Sequence, residues 1–357
     1  MQSLGPESLT WRYFGDLRTV LLGMWTVVMQ NMYPELGRAV EEHSIMTQEP
    51  VTRVARSMYP IMGVVYDQDR AAATGRQVRD YHQTINRTSG DRPYHALAPN
   101  TFYWAHVTFF MQMVRTVELF FDGGLSWEEQ LGLYEEQKRW YAAYGVTMRP
   151  VPASYDKFCV FYQQICSEVL EINKATADIL WIRHPKPRYV PLPGEVWRWL
   201  TDPLVAGQRW ITTGCLDPVV REKAGLAWTV TDEFMFRRYT AGVRVLFRFM
   251  PEWMRLHPRA RQAFRRAKGQ LPPDAPLVDA PQAFAPPRHR RGLPQHHVPG
   301  PHHASLLGVL AHDVVPGSLW VVAWGLQSAA LVLERVRTHP KFRRLRFAWP
   351  KRFKIPL

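Results

Sequence analysis

Apolar residues recur at helical spacing through most of this 357-residue chain, and no stretch alternates as a sheet strand does over more than a few residues. That pattern leaves an all-α architecture as the fold class. Leu17, Val20, Leu21, Met24 and Val28 form a helical stripe that stops at Tyr33-Pro34, where proline suits the first turn of a following helix. Residues 35–43 read as a short helix, and 52–59 as another, closed by Pro60. A longer helix is expected between Asp67 and Arg87, ending near Ser89-Gly90. A very apolar one follows over about 101–121 and stops at Asp122-Gly123-Gly124. Ser126-Trp127-Glu128-Glu129 is a capping-box start for a helix reaching Tyr144-Gly145. Ser154 opens a helix expected to run to about Ile182. Residues 185–193 are a proline-rich connection, with further helices around 195–206, 217–226 and 231–268.

The pattern changes after residue 268. Residues 1–268 are expected to form a single large helical domain. Residues 269–303 are crowded with proline, arginine and histidine, a composition that builds no core and reads as a linker. Its His296-His297 and His302-His303 pairs lack the fixed backbone that metal coordination needs. In 304–357, an apolar helix is followed by a basic tail. Val314 to Leu333 holds no charged residue and is long enough to cross a bilayer. Arg335, Arg337, Lys341, Arg343, Arg344 and Arg346 follow, the flank of a membrane helix with a cytosolic C-terminus. Pro316, Gln327 and Ser328 weaken that segment, so a helix docked on the domain stays open beside membrane association. Glu7 and Asp16 interrupt the N-terminal lead-in, no small-residue cleavage site follows, and a cytoplasmic, membrane-associable protein is the expectation.

The net charge of +14 favours anionic partners. Nucleic acid is disfavoured, because no zinc spacing, RNP-like run or helix-turn-helix accompanies the arginines. Cys159, Cys166 and Cys215 are odd in number and lack CxxC spacing, which argues against a disulfide framework or a thiolate metal site. Aromatics at 13%, with fourteen tryptophans, favour a protein with large apolar pockets or a lipid-contacting surface.

Two histidines stand out. His82 shares a helical face with Val78 and Ile85, and His106 one with Phe102, Phe109 and Met113. A histidine on an apolar face is either a satisfied core residue or a ligand to something buried, and a porphyrin iron needs one such imidazole. Arg53, Arg56 and Ser57 occupy i, i+3 and i+4 of one face upstream. Such a pair of arginines is either a solvated face or a clamp for an anion or polar ligand.

A series of short motifs runs in order along the chain: Leu21-Leu22-Gly23, Gln30-Asn31-Met32-Tyr33-Pro34, Glu42-His43-Ser44, Arg53-Val54-Ala55-Arg56-Ser57 and Val78-Arg79-Asp80-Tyr81-His82, then Tyr94-His95-Ala96, Trp104-Ala105-His106, Tyr144-Gly145-Val146 and Arg149-Pro150. Together they resemble the latex clearing protein and mpaB oxygenase family, over roughly residues 8–265. The resemblance implies an all-helical, globin-like core with extra helices that holds heme b. It implies His82 as the iron ligand, from the match to a V-R-x-x-H helix, and His106 as a cofactor-side or supporting histidine of the W-x-H position. It implies a distal strip over the iron formed by Arg53, Arg56 and Ser57. Arginine stands at 56 where the rubber-cleaving members carry lysine, and serine at 57 where they carry threonine. Their catalytic acid has Glu35, Glu41 and Glu42 as open counterparts here.

The function expected is therefore a heme-dependent oxygenase that uses O₂ on an apolar or unsaturated small molecule or polymer, isoprenoid or lipid-like. It would cleave a carbon–carbon double bond to two carbonyls. The alternative is a non-enzymatic, membrane-associated helical module that binds lipid or another hydrophobe. A carboxylate-bridged di-iron enzyme fits less well, since Glu118, Glu168 and Glu171 have no histidine three residues later.

Overall fold

The computed structural model describes residues 3–88, 93–182, 193–272 and 274–280. Among them the chain is all-α, with one two-residue hairpin. The helices are α1 (Leu9–Phe14), α2 (Gly23–Asn31), α3 (Pro34–His43), α4 (Pro50–Tyr66) and α5 (Ala71–Asp80). The hairpin pairs β1 (Asn86–Arg87) with β2 (Tyr94–His95), antiparallel, Asn86 opposite His95. Then come α6 (Pro99–Phe120), α7 (Trp127–Ala142), α8 (Tyr155–Gln164), α9 (Lys174–Leu180), α10 (Gly194–Cys215), α11 (Pro218–Lys223), α12 (Val230–Phe249), α13 (Glu252–Arg255) and α14 (Pro258–Ala267).

The central element is α6. It buries residues on nearly every face, from Thr101 through Phe120, and touches α1, α2, α3, α7 and α12. A helix apolar all round belongs inside a core. Buried polar groups fasten its surroundings. Glu136 of α7 accepts from the backbone N–H groups of Leu9 (3.1 Å) and Thr10 (2.7 Å), placing a carboxylate at the positive end of α1. Arg18 pairs with Asp16 at 2.8 Å and donates to the Phe120 carbonyl at 3.0 Å, satisfying the end of α6. Arg259 of α14 grips Asp67 with two bonds, 2.8 and 2.5 Å, and so ties the end of α4 to α14.

Several expectations are corrected. α4 does not close at Pro60 but continues to Tyr66. A proline inside a helix costs about 3 kcal/mol, whereas Ile61, Met62, Val64 and Val65 beyond it are all buried, each contributing about 1.5–3 kcal/mol. The helix expected from Ser154 to Ile182 is interrupted. α8 gives way to a π-helical turn, Ile165–Val169, and α9 starts afresh with Asn173 accepting from the Thr176 N–H at 2.9 Å. The helix expected across 67–87 ends at Asp80, and the hairpin occupies its last part. The one expected over 231–268 is three helices, because Pro251 and Pro258 each open a new one. Val20 faces solvent, in a 3₁₀ turn (Leu17–Leu22) rather than on a continuous helical stripe.

Residues 274–280, in the segment read as a linker, lie against α14: Gln262 donates to the Pro276 carbonyl at 2.7 Å and accepts from the Val278 N–H at 3.1 Å. The apolar segment 314–333 and the basic tail lie outside the described residues. No helix among the described residues is long and apolar enough to cross a membrane.

Candidate functional site

His82 sits in the turn that follows α5, not on the helix itself. Its backbone N–H reaches the Arg79 carbonyl at 2.9 Å, and its ring folds back so that Nδ1 lies 2.8 Å from the Val78 carbonyl. A carbonyl only accepts, so Nδ1 carries the proton and Nε2 carries the lone pair. Burial pushes the imidazole down to about 4. The Val78 carbonyl opposes that shift, and the positive charge of Arg53 adds to it. The ring is therefore neutral at pH 7. Neutral, with the other nitrogen on a backbone carbonyl, is the form in which histidine ligates a metal.

Arg53 and Ser57 lie one turn apart on α4. Arg53 Nη1 donates to Ser57 Oγ, and that hydroxyl donates to the Arg53 carbonyl at 3.0 Å. Ser57 thus has its proton and a lone pair engaged in aiming the guanidinium. Arg53 Nε is buried and has no hydrogen-bond partner among the described residues. Burial and repulsion from Arg56 pull the guanidinium down to about 10. A buried cation, Arg56, and a half-buried one, Arg53, on one helix favour a nearby anion. Glu49, the residue preceding α4, supplies part of the answer by drawing Arg56 upward against the stronger effect of burial.

Glu49 is an acidic residue that the sequence reading misses. Its signal is the spacing, since Glu49, Arg53 and Arg56 follow i, i+4, i+7. The three carboxylates left open are placed differently. Glu35 accepts from Thr101, Glu42 from Tyr94 (2.7 Å) and Arg87 (2.8 Å), and Glu41 is exposed.

The structure brings Arg53, Ser57 and His82 into one neighbourhood, with Arg56 on the same helix. His106 stands an aromatic layer away. Ring contacts run from His82 to Phe102 (5.9 Å), Phe102 to Tyr144 (5.3 Å) and Tyr144 to His106 (5.9 Å). Nε2 of His106 lies 3.1 Å from Gln137 Oε1. A neutral Nε2–H fits that bond, and burial holds the ring down to about 3. Neither its Nδ1 nor the nearby Tyr141 hydroxyl has a hydrogen-bond partner among the described residues.

A family model described as the ER-bound oxygenase mpaB/B'/rubber oxygenase catalytic domain matches residues 11–245. The chain belongs to that oxygenase family. The match runs from α1 into α12, and so takes in both the arginine helix and the His82 turn of this mpaB/rubber oxygenase member. No curated protein and no solved structure matches the chain. Among the described residues of this family member, no three His, Cys, Asp or Glu side chains group as a metal site. One imidazole is nevertheless enough for a metal that arrives with its own ring of donors. A cleft of about 400 Å³, lined by Glu7, Arg12, Phe121, Arg255 and Phe264 among others, includes none of Arg53, Arg56, Ser57, His82 or His106.

Proposed function

We propose that the chain is a heme b-dependent oxygenase that cleaves a carbon–carbon double bond of an apolar, unsaturated substrate, isoprenoid or lipid-like. The observation that carries this reading is the His82 tautomer, with Nδ1–H on the Val78 carbonyl and the basic Nε2 on a neutral ring. Membership in an oxygenase family supports it. The residues fit a heme. His82 Nε2 would bind the iron, and Arg53, whose buried Nε has no hydrogen-bond partner among the described residues, suits an anion or developing negative charge. A heme held there supplies an iron that binds and activates O₂. The reaction balances without an external reductant, since one C=C and one O₂ give two C=O groups.

The protein's own part is positional and electrostatic. The Val78 carbonyl fixes the His82 ring and raises its basicity as a ligand. Ser57 holds the Arg53 guanidinium in one direction, so that a fixed cation faces charge that develops during reaction. The phenyl ring of Phe102 against His82 keeps that side of the imidazole dry. His106, bound to Gln137 behind Tyr144, is assigned a supporting role.

A second reading, the non-enzymatic hydrophobe-binding module, draws on the fact that both histidines have protein partners. Absorption spectroscopy with iron analysis separates the two. A Soret band that is present in the full chain, or appears on adding hemin, and is lost in His82→Ala supports the oxygenase. A chain that stays colourless with hemin and carries lipid supports the module.

A further inference from the structure

Helix α12 has two apolar faces. One is the core face, with Phe236, Tyr239, Val243 and Phe247 buried. The other points to solvent. Phe234 is 55% exposed, Val245 54%, Leu246 45% and Phe249 80%, and Trp253 on α13 adds 57%. Phe234, Val245 and Phe249 follow i, i+11, i+15, so they line one stripe opposite the core. Scattered apolar residues on a surface need no explanation, but an aligned stripe ending in Phe249, with an exposed tryptophan four residues further on, does.

The charge around it is mostly positive, although Asp232 and Glu233 open the helix. From Phe234 to Lys268, nine arginines and one lysine stand against a single acidic residue, Glu252. Some are used locally: Arg237 pairs with Glu233, Arg248 with Asp122, and Arg259 with the buried Asp67. Arg238 lies 5.2 Å above the Phe234 ring, its cation at the edge of the stripe.

We propose that the α12–α13 face docks on an anionic lipid surface, with Phe249 and Trp253 entering the interface and the arginines meeting headgroup phosphates. A basic helix with one aromatic and aliphatic face is the composition that lies in a bilayer interface. A second copy would set like charge against like. The chain's own apolar segment, 314–333, holds no acidic residue, and beyond it one glutamate, Glu334, stands against nine lysines and arginines, so it would set mostly like charge against like. This inference is independent of the heme reading and of any anchoring by residues 314–333.

The test keeps the full chain. Phe249→Cys is labelled with an environment-sensitive nitrobenzoxadiazole dye, with the unsubstituted protein treated alike as blank. Val160→Cys, at an exposed site on α8, is the control position. Vesicles of phosphatidylcholine with phosphatidylserine should shift the dye at 249 to shorter wavelength, and salt should reverse the shift, while the dye at 160 stays unchanged. In sedimentation with the same vesicles, Phe249→Glu/Trp253→Glu should weaken binding by about tenfold or more. Its circular-dichroism melt should match the parent, because both side chains are exposed. The proposal is overturned if the chain does not sediment with these vesicles, or sediments while the dye at 249 does not respond. It is equally overturned if that dye is already blue-shifted without vesicles, which marks the face as covered by another part of the chain or by a second copy.

Discussion

The imidazole of His82 is anchored 2.8 Å from the carbonyl of Val78, four residues back, although the α-helix that carries Val78 has already ended at Asp80. That contact selects the tautomer and leaves the ring's basicity at Nε2. The other histidine, His106, is locked through Nε2 to Gln137 instead. Two histidines that look alike in sequence are therefore held by opposite ring nitrogens.

We predict that single substitutions separate them. His82→Ala should abolish heme retention while the fold survives. His106→Ala should retain the pigment and lower stability by about 2–4 kcal/mol, because it opens a cavity among Trp140, Tyr141 and Tyr144 and strands Gln137. Absorption spectra and urea unfolding followed by circular dichroism check both. The reverse pattern would reassign the ligand to position 106.

Arg53 should matter to turnover more than to folding. Arg53→Leu is expected to cut oxygen consumption with an unsaturated apolar substrate by about 10²–10³-fold while the Soret band persists. Ser57→Ala should give a smaller loss, since it frees the guanidinium without removing its charge, and Ser57→Thr should keep the parental rate. An oxygen electrode reads all three. Equal rates in Arg53→Leu and the parent would remove Arg53 from the reaction.

The fold is legible in the sequence where a single local signal decides an element. Pro34 begins α3, and the Ser126–Glu129 capping box begins α7. It is illegible where tertiary burial outweighs a local rule, as at Pro60, or where strands are too short to alternate, as at 86–87 and 94–95. At the site, the spacing of Arg53, Arg56 and Ser57 is enough to put all three on one helix. The aromatic layer between His82 and His106 leaves no such mark, because Phe102 and Tyr144 come from different segments of the chain and meet only through packing.

Two close approaches, one on α5 just before the His82 turn and one on α4, leave no room for a methyl group. A Cβ at Gly75 of α5 would sit 2.2 Å from the backbone carbonyl oxygen of Ala143, and one at Gly63 of α4 would sit 2.6 Å from both Arg259 and Asp67. We predict that Gly75→Ala is the more damaging, because backbone cannot step aside as a side-chain end can, and that it also loosens heme binding by shifting α5. Asp67→Ala should cost about 3–5 kcal/mol by leaving Arg259 buried without its carboxylate. Chemical denaturation and hemin titration measure the two effects. Gly75→Ala with parental stability would mean that α5 is free to move.

Acid should destabilise the fold through its buried histidines. Burial holds His106 and His257 down to about 3, against an ordinary 6.5. His257 accepts at Nδ1 from the Arg259 N–H at 3.3 Å and so caps α14 only while neutral. Between about 3 and 6.5 the unfolded chain binds protons that the folded chain refuses. Their contribution is therefore fully present above 6.5 and falls as the pH drops, by up to about 1.4 kcal/mol per pH unit for each histidine. Urea midpoints measured from about pH 7.5 down to about pH 4.5 should decline with that slope. His257→Asn keeps an acceptor for the helix cap but does not titrate, so it should remove one proton's share of the slope with little change at neutral pH. An unchanged slope in that variant would show that His257 is protonated in the folded chain as readily as in the unfolded one.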